Sequence, residues 1–126
     1  METKNRKFKT DIDIAIINNV IAYTKSALNQ YNIIGVWLFG SFAKGTANEN
    51  SDIDIALVFD SLKDKFQAQF ELMKIRRKFD YRIEPHPLDE KEFTKQNQFA
   101  DEILNTGLQI FRYEKEKGTQ HWLVAT

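Results

Sequence analysis

The sequence predicts an α/β (α+β) domain, a small mixed sheet with flanking helices, on three observations. Two short runs, IIGVWLF at 33–39 and IDIALVF at 53–59, have strand length and a β-branched or aromatic content. Apolar residues recur at helical spacing before the first run and after the second. The chain has 126 residues, the size of one domain, with a core expected over about 10–113 and a tail over 114–126.

Each element follows from local chemistry. Thr10 reads as an N-cap, with Asp13 at the third position in place of the usual Glu. Ile16, Ile17, Val20, Ile21, Thr24, Ala27 and Leu28 then define a helix to about residue 30. The first strand is bounded by Gly40 and Ser41, and a small polar loop follows at 41–51. The second strand is apolar on both faces beyond Asp54, as a central strand would be. A second helix is expected over 62–79, its wide apolar stripe carrying Phe66, Phe70 and Met73 and also Ala68, Leu72, Ile75 and Phe79, with Phe66, Phe70 and Met73 read as core and Arg76, Arg77 and Lys78 as a solvated end. A third strand is expected at 80–84, stopped by Pro85 and Pro87. Short helices are expected at 88–93 and 99–104, the latter capped by Gly107, and a last strand at 108–113. The stretch 114–118 reads as a charged tail, and the terminal HWLVAT has no assigned place.

Eighteen basic and eighteen acidic residues cancel, which argues against a general nucleic-acid binder. The cluster Lys4, Arg6, Lys7 and Lys9 reads as a solvated tail. The absence of cysteine excludes disulfides and Cys-ligated zinc. No apolar segment follows the basic N-terminus as in a signal peptide, and no run approaches the roughly 20 residues that span a bilayer. A cytoplasmic protein without a membrane segment is expected.

The chemistry concentrates in WLFGSFAKGTANENSDIDIALVF, where ten residues separate Gly40-Ser41 from Asp52-Ile53-Asp54. Two positions apart on a strand, the Asp52 and Asp54 carboxylates share a face, their α-carbons about 6.6 Å apart at roughly 3.3 Å per residue. So spaced, they can converge on one ion or bridge two; metal pairs that run in-line phosphoryl displacement sit about 3.5–4 Å apart. Like charges on an apolar strand repel each other and cost desolvation, and a cation removes both penalties. Gly40 lets a phosphate approach the backbone and the Ser41 hydroxyl can donate to it. Gly45 relaxes the loop, Lys44 adds charge, and Ser51 completes the nucleotide-binding set ahead of Asp52. Glu84 is the candidate third carboxylate, as metal ligand or proton acceptor, with Asp80 on the same face as the alternative. A second copy of the tripeptide, Asp11-Ile12-Asp13, sits at a helix start, where acids suit the dipole. His86, between two prolines, reads as a partly exposed loop residue within reach of an acceptor, and His121 as a terminal one.

The combination resembles the signature of the DNA polymerase β-type nucleotidyltransferase superfamily. Within it the chain resembles the minimal nucleotidyltransferase (MNT) proteins, and its Gly-Ser to Asp-x-Asp spacing is similar to that of antitoxins from HEPN/MNT toxin–antitoxin pairs. The stretch RIEPHPLDEKEF and the later FADEILNTGLQIF are also similar, so the likeness spans roughly 33–113. It implies a polymerase β-like fold, Gly40 and Ser41 on the triphosphate, Mg²⁺ on Asp52 and Asp54, and Glu84 where aspartate is more usual. It also implies ATP as donor and a tyrosine of a partner HEPN ribonuclease as AMP acceptor. Two other functions stay open: transfer to a small hydroxylated molecule such as an antibiotic, and a non-catalytic antitoxin that acts by contact alone. The donor's base preference and the oligomeric state, a homo-oligomer included, also stay open.

Overall fold

A computed structural model describes residues 11–124, with side chains from residue 14 onward. The expected Thr10 cap and the basic cluster at 4–9 lie outside the described residues. The order is α1 (Asp11–Leu28), β1 (Ile33–Phe39), α2 (Ser41–Lys44), β2 (Ile53–Phe59), α3 (Lys65–Ile75), β3 (Ile83–Asp89), α4 (Gln98–Thr106), β4 (Leu108–Glu114) and β5 (Thr119–Trp122). A single 3-10 turn, Arg76–Lys78, ends α3. The five strands form one sheet in the order β3-β2-β1-β4-β5. The β2–β3 pair is parallel and the others are antiparallel, so the sheet is mixed, and α3 makes the crossover a parallel pair requires.

Period-two alternation divides β2 between two cores. Ile53, Ile55, Leu57 and Phe59 face α1 and α3 in the main core, with Ile16, Val20, Tyr23 and Leu72. Ala56 faces the other way, toward a smaller cluster with Leu88 and Ile103 of α4, bordered by Trp37, Phe39 and Phe93. The buried Tyr23 hydroxyl donates to the Leu72 carbonyl at 2.7 Å, tying α1 to α3, and burial pushes its pKa well above the ordinary phenol value. Among the described residues, no buried side-chain nitrogen or oxygen lacks a hydrogen-bond partner. No described helix is long and apolar enough to cross a membrane.

Four expectations need correction. Pro85 and Pro87 do not stop the third strand; they lie inside it, and β3 begins later than expected. The Ile53 N–H donates to the Arg82 carbonyl and the Glu90 N–H to the Phe59 carbonyl, which sets the even-numbered amides of β3 toward β2. The proline nitrogens therefore lie on the open edge, where no donor is needed. Residues 88–93 form no helix: Leu88 and Asp89 finish β3, and turns follow. Phe66 and Phe70 are not core; they are 88% and 60% exposed, because α3 buries Ala68, Leu72 and Ile75 instead. The stretch 114–118 is no tail: Glu114 ends β4, residues 115–118 connect it to β5 in a hairpin turned by Gly118, and His121 and Trp122 are strand residues, with Trp122 against Phe111.

Candidate active site

Register assembles the site. Across the sheet, Phe39 of β1 pairs with Asp54 of β2, and Asp54 pairs with Glu84 of β3. One pleat along, Trp37, Ala56 and His86 form the next row on the same face. Asp52 immediately precedes β2 and is exposed, whereas Asp54 and Glu84 are partly buried. Two of the expected carboxylates therefore sit side by side on neighbouring strands, with Asp52 one pleat nearer the strand's start.

The glycine ahead of the short helix has a physical reason to be glycine. Gly40 has φ 76°, and a Cβ there would lie 2.5 Å from Asp54 Oδ2. The turn from β1 into α2 is thus packed directly on the carboxylate. Gly45 ends α2 in the left-handed conformation, its N–H donating to the Ser41 carbonyl. Ser41 is half-buried at the start of α2. Lys44 reaches across to Glu102 of α4 at 3.0 Å, an exposed pair. The Ser51 hydroxyl accepts the Asn48 N–H at 2.9 Å and so closes the loop ahead of Asp52.

Two groups that the sequence did not assign to the site hold the carboxylates. His86 Nε2 lies 3.2 Å from Asp54 Oδ1. Arg76 Nη1 donates to the Ile83 carbonyl at 2.9 Å and lies 3.9 Å from Glu84 Oε1, so it is a brace for β3 rather than a solvated helix end. Asp80, the alternative third carboxylate, is elsewhere: Arg82 binds both its oxygens, at 3.0 and 2.8 Å, and Asn19 of α1 donates to it. Those contacts, Arg82 foremost, hold the Asp80 carboxyl below the usual range. His86 was legible in principle, since it alternates with Glu84 once the prolines are admitted into the strand. Arg76 was not, because its contact depends on how α3 packs on β3.

The donor set is all carboxylate oxygen, which suits a hard divalent cation such as Mg²⁺ better than a thiolate-seeking one. Asp54 and Glu84 share a row, and the tight fit of Gly40 fixes one of the Asp54 oxygens. The three carboxylates do not close into a cage as they stand: among the described residues, no group of three His, Asp or Glu side chains is near enough to enclose an ion. Asp54 and Glu84 turn toward His86 and Arg76 instead.

Known structures share this fold. A candidate nucleotidyltransferase from Sulfolobus solfataricus superimposes with a TM-score of 0.63 at 22% identity, covering 99% of this chain and 100% of that one. A toxin–antitoxin structure with AMP-PNP gives a TM-score of 0.53 at 20% identity, covering 79% of this chain and 76% of that one. A tri-AMPylated Shewanella oneidensis HEPN toxin in complex with MNT antitoxin gives 0.54 at 19% identity, covering 83% and 76%. These likenesses are of fold. Comparison with curated protein sequences gives no match. The family described as Polymerase beta, Nucleotidyltransferase matches residues 18–116, which include every element of the site, and the chain belongs to that family.

Proposed function

We propose that the protein is a Mg²⁺-dependent nucleotidyltransferase that moves AMP from ATP to a hydroxyl of a partner protein, a HEPN-domain toxin, and so acts as an antitoxin. The observation that carries the chemistry is the row Asp54–Glu84, packed against Gly40 and preceded by Asp52. The antitoxin role draws support from the fold's likeness to MNT antitoxins solved with their toxins, one of them with AMP-PNP.

In this reading Gly40 and Ser41 hold the triphosphate, the glycine by close approach and the serine by donating its hydroxyl. Lys44, Gly45 and Ser51 shape the surrounding loop. Asp52, Asp54 and Glu84 would hold Mg²⁺, which when bound neutralises phosphate charge and lowers the acceptor's pKa. His86 and Arg76 orient Asp54 and Glu84. The acceptor oxygen attacks the α-phosphorus in line; the bond from that phosphorus to the bridging oxygen breaks, and pyrophosphate leaves with the electron pair. Glu84 takes the acceptor's proton.

The test is to co-express the chain with a candidate HEPN-domain partner and to measure the intact mass of that partner. A gain of one or more AMP groups that disappears with Asp54→Asn supports the reading. Tight binding without any gain, with Asp54→Asn still neutralising the toxin, overturns it in favour of inhibition by contact alone.

A further inference from the structure

Among the described residues, the most exposed large apolar side chain lies on α3. Phe66 is 88% exposed, and Phe70, one turn on, is 60% exposed. Helical spacing puts Phe66, Phe70 and Lys74 in one stripe, with the half-buried Met73 beside it. The Lys74 ammonium lies 5.2 Å from the centre of the Phe70 ring. The helix buries Ala68, Leu72 and Ile75 against the sheet and turns both rings into water. Two such rings side by side on one helix face mark a surface that another molecule covers.

Charge tells what covers it. The segment 62–79 carries six basic and two acidic residues in a chain of zero net charge. Both acids are engaged: Asp64 accepts the Gln67 N–H as helix cap, and Glu71 accepts from the Tyr31 hydroxyl and the Gln67 side chain. Lys65 pairs with Glu92, and Arg76 lies against Glu84. Lys63, Lys74, Arg77 and Lys78 are exposed, and among the described residues no carboxylate pairs with them. A second copy of the chain is a poor occupant. Lys63 stands before one end of the stripe and Lys74, Arg77 and Lys78 at the other, so two stripes laid together in either direction set like charges face to face. The stripe also ends near the site: Arg77 follows Arg76, whose guanidinium lies 3.9 Å from Glu84 Oε1 on the edge strand β3. A protein seated on α3 is thus held beside that carboxylate. We propose that Phe66 and Phe70, with Lys74 and Arg77, form the docking surface for the acceptor protein, which covers the two rings with an apolar cleft rimmed by carboxylates. The inference rests on the reading of the chain as a nucleotidyltransferase acting on a protein, and adds to it the surface that holds that protein.

The experiment titrates the full chain with a candidate HEPN-domain partner and measures ATP affinity alongside. It compares the native chain with two double variants, Phe66→Ser/Phe70→Ser and Lys74→Glu/Arg77→Glu. All four side chains are exposed, so both variants should fold, and urea unfolding checks that they do. The expected result is a Kd weakened roughly thirtyfold or more in the serine variant and largely restored in Phe66→Leu/Phe70→Leu. The glutamate variant should bind about tenfold more weakly at low salt, with the gap narrowing as salt screens the charges. ATP affinity should match that of the native chain, and transfer at saturating partner should keep its kcat, the loss falling on KM. Native binding that neither variant weakens overturns this proposal and leaves nucleotidyl transfer standing. A loss of ATP affinity in the serine variant overturns it as well, because the rings would then serve the donor site or the fold. Binding to vesicles of phosphatidylserine and phosphatidylcholine that is lost in the serine variant, with partner binding intact, overturns it and gives the stripe to a membrane surface. No binding of the native chain to the partner overturns this proposal and the antitoxin reading together.

Discussion

At the scale of single residues, Gly40 and Asp54 constrain each other. The positive φ of Gly40 and the 2.5 Å approach of a Cβ to Asp54 Oδ2 leave no room for a side chain. Gly40→Ala should therefore cost roughly 1–3 kcal/mol of stability and, by pushing the carboxylate aside, lower transfer by about 10²-fold or more. Urea unfolding and initial rates would measure the two effects. Asp54→Asn should leave stability nearly unchanged and lower transfer by roughly 10²–10³-fold or more, since it removes charge without removing bulk. That Gly40 and Asp54 would lie together was legible from the motif's strand–loop–strand form, and strand alternation alone puts Asp52 and Asp54 on one face. What each carboxylate touches was not. His86 and Arg76 reach Asp54 and Glu84 only through the β2–β3 register and the packing of α3, and both are long-range facts.

At the scale of elements, α3 shows how a helical pattern misleads. Phe66, Phe70 and Met73 recur at the correct spacing, yet the smaller set Ala68, Leu72 and Ile75 faces the sheet. Phe66 is 88% exposed, and Phe70 carries the Lys74 ammonium 5.2 Å above its ring. Phe66→Ser should change stability by no more than about 0.5 kcal/mol, whereas Leu72→Ala should cost about 2–5 kcal/mol; chemical denaturation distinguishes them. The sequence offered two apolar faces, and periodicity does not say which one a sheet will cover. The β1 and β2 strands were legible because continuous apolar runs have few other uses. β3 was misjudged because prolines usually end a strand, and an open edge removes that objection. The hairpin to β5 was missed because its turn is charged and its strand short, so neither carries a strong pattern.

At the scale of the whole molecule, the Asn19–Asp80–Arg82 cluster ties α1 to the start of β3. Arg82 holds the Asp80 carboxyl below its usual pKa, so the stabilisation is present above the unfolded carboxylate's value and is lost as pH falls through the folded one. Asp80→Asn should thus be less stable than the native chain near neutrality by about 1–3 kcal/mol, with the gap narrowing below about pH 4. A gap constant with pH would contradict that account. The parallel β2–β3 pair brings Asp54 beside Glu84, and the turn out of β1 packs Gly40 on Asp54. Whether that arrangement transfers nucleotides is decided by supplying ATP labelled at the α-phosphate in one reaction and at the γ-phosphate in another, with Mg²⁺ and the partner protein. The account predicts that the α-label moves to the acceptor, that the γ-label leaves as pyrophosphate, and that Asp54→Asn stops both. Movement of the γ-label to the acceptor, or of neither label while ATP is bound, would contradict it.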